Sequence, residues 1–198
     1  MKPVWTAEKR LSAGIIVEVL ALVLLCLYLF LFIQSLHARW FSPNFTNDDA
    51  FQQYFPLHEV LTPGRHAQDL PYQAMRGYLM PLHWALAAAI TYLTRDPVMS
   101  AHWVMLIQFV LTAFFVWLCV RRLSTRAVAH LSLIWLLHSR PMLERLAGGL
   151  PRGWMAPLCA AIVWCILGSR YTAALGVIFC AAFLNPPAAA VCGLTYMF

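Results

Sequence analysis

Residues 11–33 read LSAGIIVEVLALVLLCLYLFLFI, 23 residues in which Glu18 is the one formal charge. As an α-helix this stretch is about 35 Å long, and a hydrocarbon core is about 30 Å thick. Its apolar part from 19 to 33 is too long for the centre of a cleaved signal peptide, and no clean small-x-small site follows it. It therefore reads as a retained span over about 11–35. Lys2, Lys9 and Arg10 precede it and put the N-terminus on the cytoplasmic side. Glu18 lies about 12 Å along the helix from Arg10. At that depth it reaches the interface or, on the other reading, serves inside a helix bundle.

The whole chain has the same character. Of 198 residues 62% are hydrophobic and 11% charged, with a mean hydropathy of +0.69. Soluble domains carry about 25% charged residues, so this chain cannot cover a globule with polar surface. Disordered, fibrous and disulfide-framework classes are excluded by the same figures. The class expected is all-α, a polytopic membrane helix bundle forming one transmembrane domain over 1–198. A net charge of +6 then marks short basic connections meeting lipid headgroups. No long basic stripe exists, so nucleic acid is not expected as a partner. All six cysteines fall inside apolar runs, where they act as small hydrophobes.

Further spans are expected at about 98–120, 126–142, 153–169 and 171–185. The first carries no formal charge and is followed by Arg121, Arg122 and Arg126. The apolar part of the second, 127–139, is only about 20 Å long. It crosses if Arg126 and Arg140 snorkel or if the helix continues past Arg140. Asn185-Pro186-Pro187 breaks the last apolar run, because prolines end or kink helices. That break reads as a structural kink, with the lining of a cavity as the alternative. The chain stops inside this apolar run, which reads as the truncated part of something longer.

Residues 77–94 are ambiguous. They carry no formal charge but include Pro81, His83 and Thr91 between Arg76 and Arg95. If they cross, Arg121, Arg122 and Arg126 lie outside; if they lie along the surface, those arginines lie inside with the N-terminal bases. Counting lysines and arginines gives seven inside either way, and only the compactness of the 121–126 cluster favours the surface arrangement.

The long polar stretch, 37–76, holds Asp48, Asp49, Glu59 and Asp69, four of the eight acids. Thr46, Asn47, Asp48 and Asp49 are strong helix-capping types, and Phe51, Tyr54, Phe55 and His58 then recur on one helical face. That aromatic face suits the membrane interface, and Pro56 could split the helix. An aspartate here either caps the helix or, just outside the hydrocarbon, serves as a general base; spacing does not rank the two.

A span, an acidic pair opening an outer helix (Asp48-Asp49-Ala50-Phe51) and a later span ending in Arg-Arg resemble the GT-C class of membrane glycosyltransferases. That class includes the protein mannosyltransferase and lipid A aminoarabinose transferase families. The resemblance implies an outer loop over 37–97 with interfacial helices at about 49–61 and 77–94. It also implies a sugar donor linked to polyprenyl phosphate, with membrane lipid around it, and Asp48 and Asp49 as the catalytic acids. In a second outer stretch, Arg152 and Arg145 would hold the lipid phosphate, since arginine binds phosphate bidentately; Glu144 is the further acid there. Snorkelling arginines are the plain alternative for that stretch. The chain departs from the class in having fewer spans and no soluble C-terminal domain.

The seven histidines show no ligand spacing, and no nucleotide-binding glycine loop or Gly-x-Ser-x-Gly is present. No cofactor is expected; a divalent metal is possible but not implied. Asn44-Phe45-Thr46 matches a glycosylation acceptor. The location expected is a bacterial inner membrane, with the N-terminus cytoplasmic and 37–97 outside. Rival readings are a transporter or lipid-handling protein, for which 77–94 must cross, and a non-catalytic membrane subunit.

Overall fold

In a computed structural model the backbone is described for residues 7–40 and 48–197, and side chains for 13–34 and 48–197. Lys2 and the Asn44-Phe45-Thr46 acceptor lie outside the described residues, as do the side chains of Lys9 and Arg10. The described chain is all-helical. Among the described residues two helices are long and apolar enough to cross a membrane, over Ala13–Gln34 and Pro97–Leu123.

Helix α1 (Ala7–Trp40) extends the expected 11–35 at both ends. Helix α6 (Pro97–Leu123) starts where Asp96 accepts from the Val98 N–H at 2.8 Å and Pro97 fills the first helical position. Helix α7 (Arg126–Leu137) is capped by Thr125, which accepts from the Val128 N–H at 3.3 Å. The helix expected over 126–142 ends at Leu137. Pro141 cannot donate back to the Leu137 carbonyl and disfavours helical backbone at Arg140. A separate short helix, α8 (Arg140–Leu146), follows.

Proline resets the other boundaries too. Pro56 offers no N–H to Gln52, and the expected 49–61 helix is α2 (Asp48–Tyr54), a 3₁₀ turn at Phe55–Leu57 and α3 (His58–Leu61). After α4 (Leu70–Met75), the helix expected from 77 begins at Pro81 as α5 (Pro81–Thr94). A 3₁₀ turn at Pro151–Trp154 leads into α9 (Met155–Leu167). Helix α10 (Tyr171–Leu184) stops at Asn185, and α11 (Pro186–Met197) restarts immediately.

Contacts between distant residues fix the helix directions. Glu18 pairs with Arg126 at 3.3 Å, and Tyr28 meets His138 with ring centroids 4.8 Å apart, so α1 and α7 run parallel. Gln108 reaches the Leu150 carbonyl, Cys119 the Ala160 carbonyl and Arg122 the Leu167 carbonyl, so α6 and α9 also run parallel. Helix α7 follows α6 through Ser124 and Thr125 and therefore opposes it. Tyr171 and Tyr196, 6.3 Å apart, close α10 and α11 into an antiparallel pair. One end of the bundle thus carries Glu18, Arg122, Arg126 and Arg170. The other carries Asp49, Arg152 and Asn185.

Helix α5 stays at the aspartate end. Its first turn meets Trp154 ahead of α9, and its last full turn meets α6, where Thr91 bonds Ser100 at 2.7 Å. Gly77, Tyr78 and Met80, just before it, share a cavity with Arg152. It therefore begins and ends at one end of the bundle and never approaches Arg121 or Arg126.

The core is built from Tyr54, Leu57, Val104, Leu150, Trp154 and Ile162, with small residues such as Ala174, Ala181, Ala188 and Cys192 where α9, α10 and α11 meet. Small side chains let helix backbones approach closely, and Leu158, Ile162 and Leu184 fill the space beside them. Many large apolar side chains stay exposed, among them Leu20 (63%), Phe179 (67%) and Trp135 (73%).

Candidate functional site

The four acids of the 37–76 stretch divide by task. Glu59 and Asp69 close their own loop: the Glu59 carboxylate accepts the Gly64 and His66 N–H groups, and Asp69 pairs with His66 at 2.7 Å. Asp48 and Asp49 occupy the first turn of α2, where the helix dipole favours negative charge. The capping position before them, Asn47, lies outside the described residues. Successive helical residues diverge by about 100°. Asp49 faces Arg152, with Oδ2 and Nη1 3.3 Å apart, and Asp48 is exposed.

Beside this pair is a cavity of about 590 Å³. Its polar lining comes from Asp49, Gln53, Tyr78, Arg145, Arg152 and Asn185, and its apolar lining includes Met80, Met155, Pro186 and Pro187. Of the residues singled out in the sequence, Asp49, Arg145 and Arg152 come together here. Asp48 and Glu144 do not line the cavity, because each points away from a helical neighbour that does. The two side chains of the ion pair are about half exposed, 54% for Asp49 and 48% for Arg152. Such a pair is weak and readily exchanged for another partner.

Below the cavity lies a buried relay that the sequence did not reveal. Trp154 Nε1 donates to His83 Nδ1 at 2.8 Å, and His83 Nε2 is 3.1 Å from Tyr54 Oη. Tyr54 Oη in turn donates to the Gly149 carbonyl at 2.6 Å. A carbonyl only accepts and an indole only donates, so the relay has one self-consistent arrangement. His83 is neutral with its proton on Nε2, donated to the tyrosine oxygen. Burial pushes the His83 imidazole down to about 4 and holds the Tyr54 phenol well above its ordinary value. Both side chains are 1% exposed or less. Tyr54 therefore belongs to the core and not to an interfacial aromatic face; of that expected face only Phe51 is largely exposed, at 55%.

The relay ends on a loop that fits its neighbours closely. Gly148 and Gly149 adopt φ of 81° and 62°, a region that glycine enters without strain. A Cβ on Gly149 would sit 2.2 Å from the Ala101 carbonyl oxygen, and one on Gly153 would sit 2.3 Å from Gln108 Oε1. Nothing in the stretch Gly-Gly-Leu-Pro-Arg-Gly (148–153) signals in sequence that two of its glycines seat the loop against α6. Asn185, read from sequence as part of a kink, lines the cavity.

Chemically, the site offers one carboxylate facing a cation, a second guanidinium, carboxamides and a partly apolar wall. Among the described residues no three histidine, cysteine or carboxylate groups converge as metal ligands would. Comparison of the chain with protein-family models, curated proteins and solved structures finds no match.

Proposed function

We propose that the chain is a multi-pass membrane protein, the N-terminal portion of a GT-C-like glycosyltransferase. It transfers a sugar from a polyprenyl-phosphate donor to an acceptor at the outer membrane face, in a bacterial inner membrane. The exposed apolar side chains along α1, α7 and α10 support the membrane setting, since soluble monomers rarely expose such contiguous surface. An α5 that begins and ends at one end supports the surface arrangement of 77–94, in which the arginines 121, 122 and 126 would lie inside with the N-terminal bases, as the positive-inside rule favours. The transporter reading needs 77–94 as a further crossing, and the placement of α5 speaks against it.

The observation that carries the transferase reading is the meeting of Asp49 and Arg152, 103 residues apart in sequence, beside a cavity with one cationic and one apolar wall. In the proposed step Asp49 takes the proton of the acceptor hydroxyl. The acceptor oxygen bonds to the anomeric carbon as the bond from that carbon to the phosphate oxygen breaks. Arg152 and Arg145 hold the departing polyprenyl phosphate and its charge. Met80, Met155 and Pro186 offer surface to the first isoprenyl units.

Transfer of labelled sugar from polyprenyl-phosphate donors, assayed in membranes containing the full-length protein, tests this. Asp49→Asn should lower the rate about 10²–10⁴-fold, the usual weight of a general base, while Asp48→Asn leaves it within about twofold. Wild-type rates in Asp49→Asn would end the assignment.

A further inference from the structure

The backbone leading into Arg152 is held by three side chains from three different parts of the fold. The Gly149 carbonyl accepts from Tyr54 Oη of α2 at 2.6 Å. The next carbonyl, of Leu150, accepts from Gln108 Nε2 of α6 at 2.9 Å. The next, of Pro151, accepts from Asn185 Nδ2 between α10 and α11 at 3.0 Å. The donors are 1%, 0% and 6% exposed, so water competes little for these bonds. Buried side-chain donors committed to loop carbonyls are costly to leave unpaired, which ties the loop to the fold.

Asn185 does two things with one carboxamide. Its Oδ1 accepts the Ala188 N–H at 3.3 Å, which caps α11 behind two prolines that have no N–H of their own. Its Nδ2 is then committed to the Pro151 carbonyl, an acceptor that could not pair with Oδ1. The helix break and the Arg152 loop are therefore one mechanical unit.

We infer that Asn185, together with Gln108, is a positioning residue: by holding the Pro151 and Leu150 carbonyls it aims the Arg152 guanidinium across the cavity toward Asp49. A long, mobile side chain gains binding strength when its base is fixed beforehand. Cutting either tether lets the Arg152 backbone shift without removing any charge from the site. The ligand arm of the test rests on the phosphate reading proposed above; the geometric arm does not.

Asn185→Ser suits the test, because serine keeps the cap of α11 and loses the donor to Pro151. Gln108→Met, of similar length, cuts the neighbouring tether from another helix and serves if the first variant folds poorly. In detergent-purified protein, affinity for farnesyl phosphate should fall about tenfold in either variant, the weight of one lost hydrogen bond of this kind. In an Arg152→Ala background the same substitutions should have no further effect, because they act through that arginine. Equal losses in both backgrounds would overturn the inference.

The geometric arm uses Asp49→Cys with Arg152→Cys and a short bifunctional thiol reagent, with the cross-linked peptide quantified by mass. Adding Asn185→Ser should slow the cross-link several-fold; an unchanged rate would overturn the positioning role. Should the wild-type protein bind no farnesyl phosphate while the cross-link still slows, the phosphate reading has failed and the positioning stands.

Discussion

Each end of the bundle carries an ion pair with the same 3.3 Å separation and similar exposure, Glu18–Arg126 at one end and Asp49–Arg152 at the other. Their surroundings differ. Glu18 and Arg126 border a groove of about 310 Å³ whose lining, among the described residues, includes Ala13, Gly14, Val17, Ala127 and Thr125, the last spent on capping α7. Asp49 and Arg152 border a larger cavity with a second arginine, two carboxamides and a tyrosine, above a loop pinned by buried donors. An exposed ion pair by itself contributes about 0–1 kcal/mol and indicates little. What sets the aspartate end apart is the second guanidinium and the carboxamides lining its cavity, and the fixed backbone beneath it.

The contrast breaks or sharpens under substitution. The largest difference is expected in transfer activity: Asp49→Asn should lose about 10²–10⁴-fold, whereas Glu18→Gln should stay within about twofold in the same membrane assay. Next comes phosphate binding. Arg152→Lys keeps the charge but loses the planar fork, so affinity for farnesyl phosphate should fall about tenfold or more; Arg126→Lys should leave it unchanged in the same titration.

Stability differences are smaller and separate the two ends again. Gly149→Ala, forced into positive φ against Ala101, should cost about 2–4 kcal/mol. Gly176→Ala in α10, with nothing within 4 Å of the new Cβ, should stabilise by about 0.5–1 kcal/mol. Thermal unfolding of the two variants measures the difference. The pH dependence follows from His83, whose folded value of about 4 lies below the unfolded value of 6.5. Between these values the unfolded chain binds a proton that the folded chain refuses. Stability is full above about pH 6.5 and declines as pH falls toward about 4, by up to about 3 kcal/mol. Unfolding of His83→Gln across the same range should lack that part of the slope. The smallest effect is Glu18→Gln on stability, at most about 1 kcal/mol.

The two long helices were legible because 11–33 and 98–120 are each long enough, and apolar enough, to declare themselves without tertiary information. Boundaries at Leu137 and Pro81 were not, since a missing proline N–H acts on one hydrogen bond and leaves hydropathy unchanged; the split at Pro56 was open in the sequence and is what the structure shows. Bringing Asp49 and Arg152 to one side required only the alternation of spans. Choosing Asp49 over Asp48 required the rotation of α2 about its axis, which is set by Tyr54 inserting into the core. That insertion depends on His83 and Trp154, 29 and 100 positions further along. The signal available was one histidine in an otherwise apolar helix, which does not name its partners. Asn185-Pro186-Pro187 announced a break, yet the recipient of the asparagine carboxamide lies 34 residues earlier, at Pro151.

The central claim, that an isoprenyl phosphate occupies the cavity beside Asp49 and Arg152, is tested most directly by photolabelling. A farnesyl phosphate analogue with a diazirine in its first isoprenyl unit would be activated on the full-length protein in membranes and its adducts mapped. The account requires adducts on Met80, Met155 or the Pro186–Pro187 turn, lost on competition with unlabelled farnesyl phosphate and in Arg152→Ala. Adducts confined to the lipid-facing side of α1, or labelling of the cavity that persists in Arg152→Ala, would contradict it.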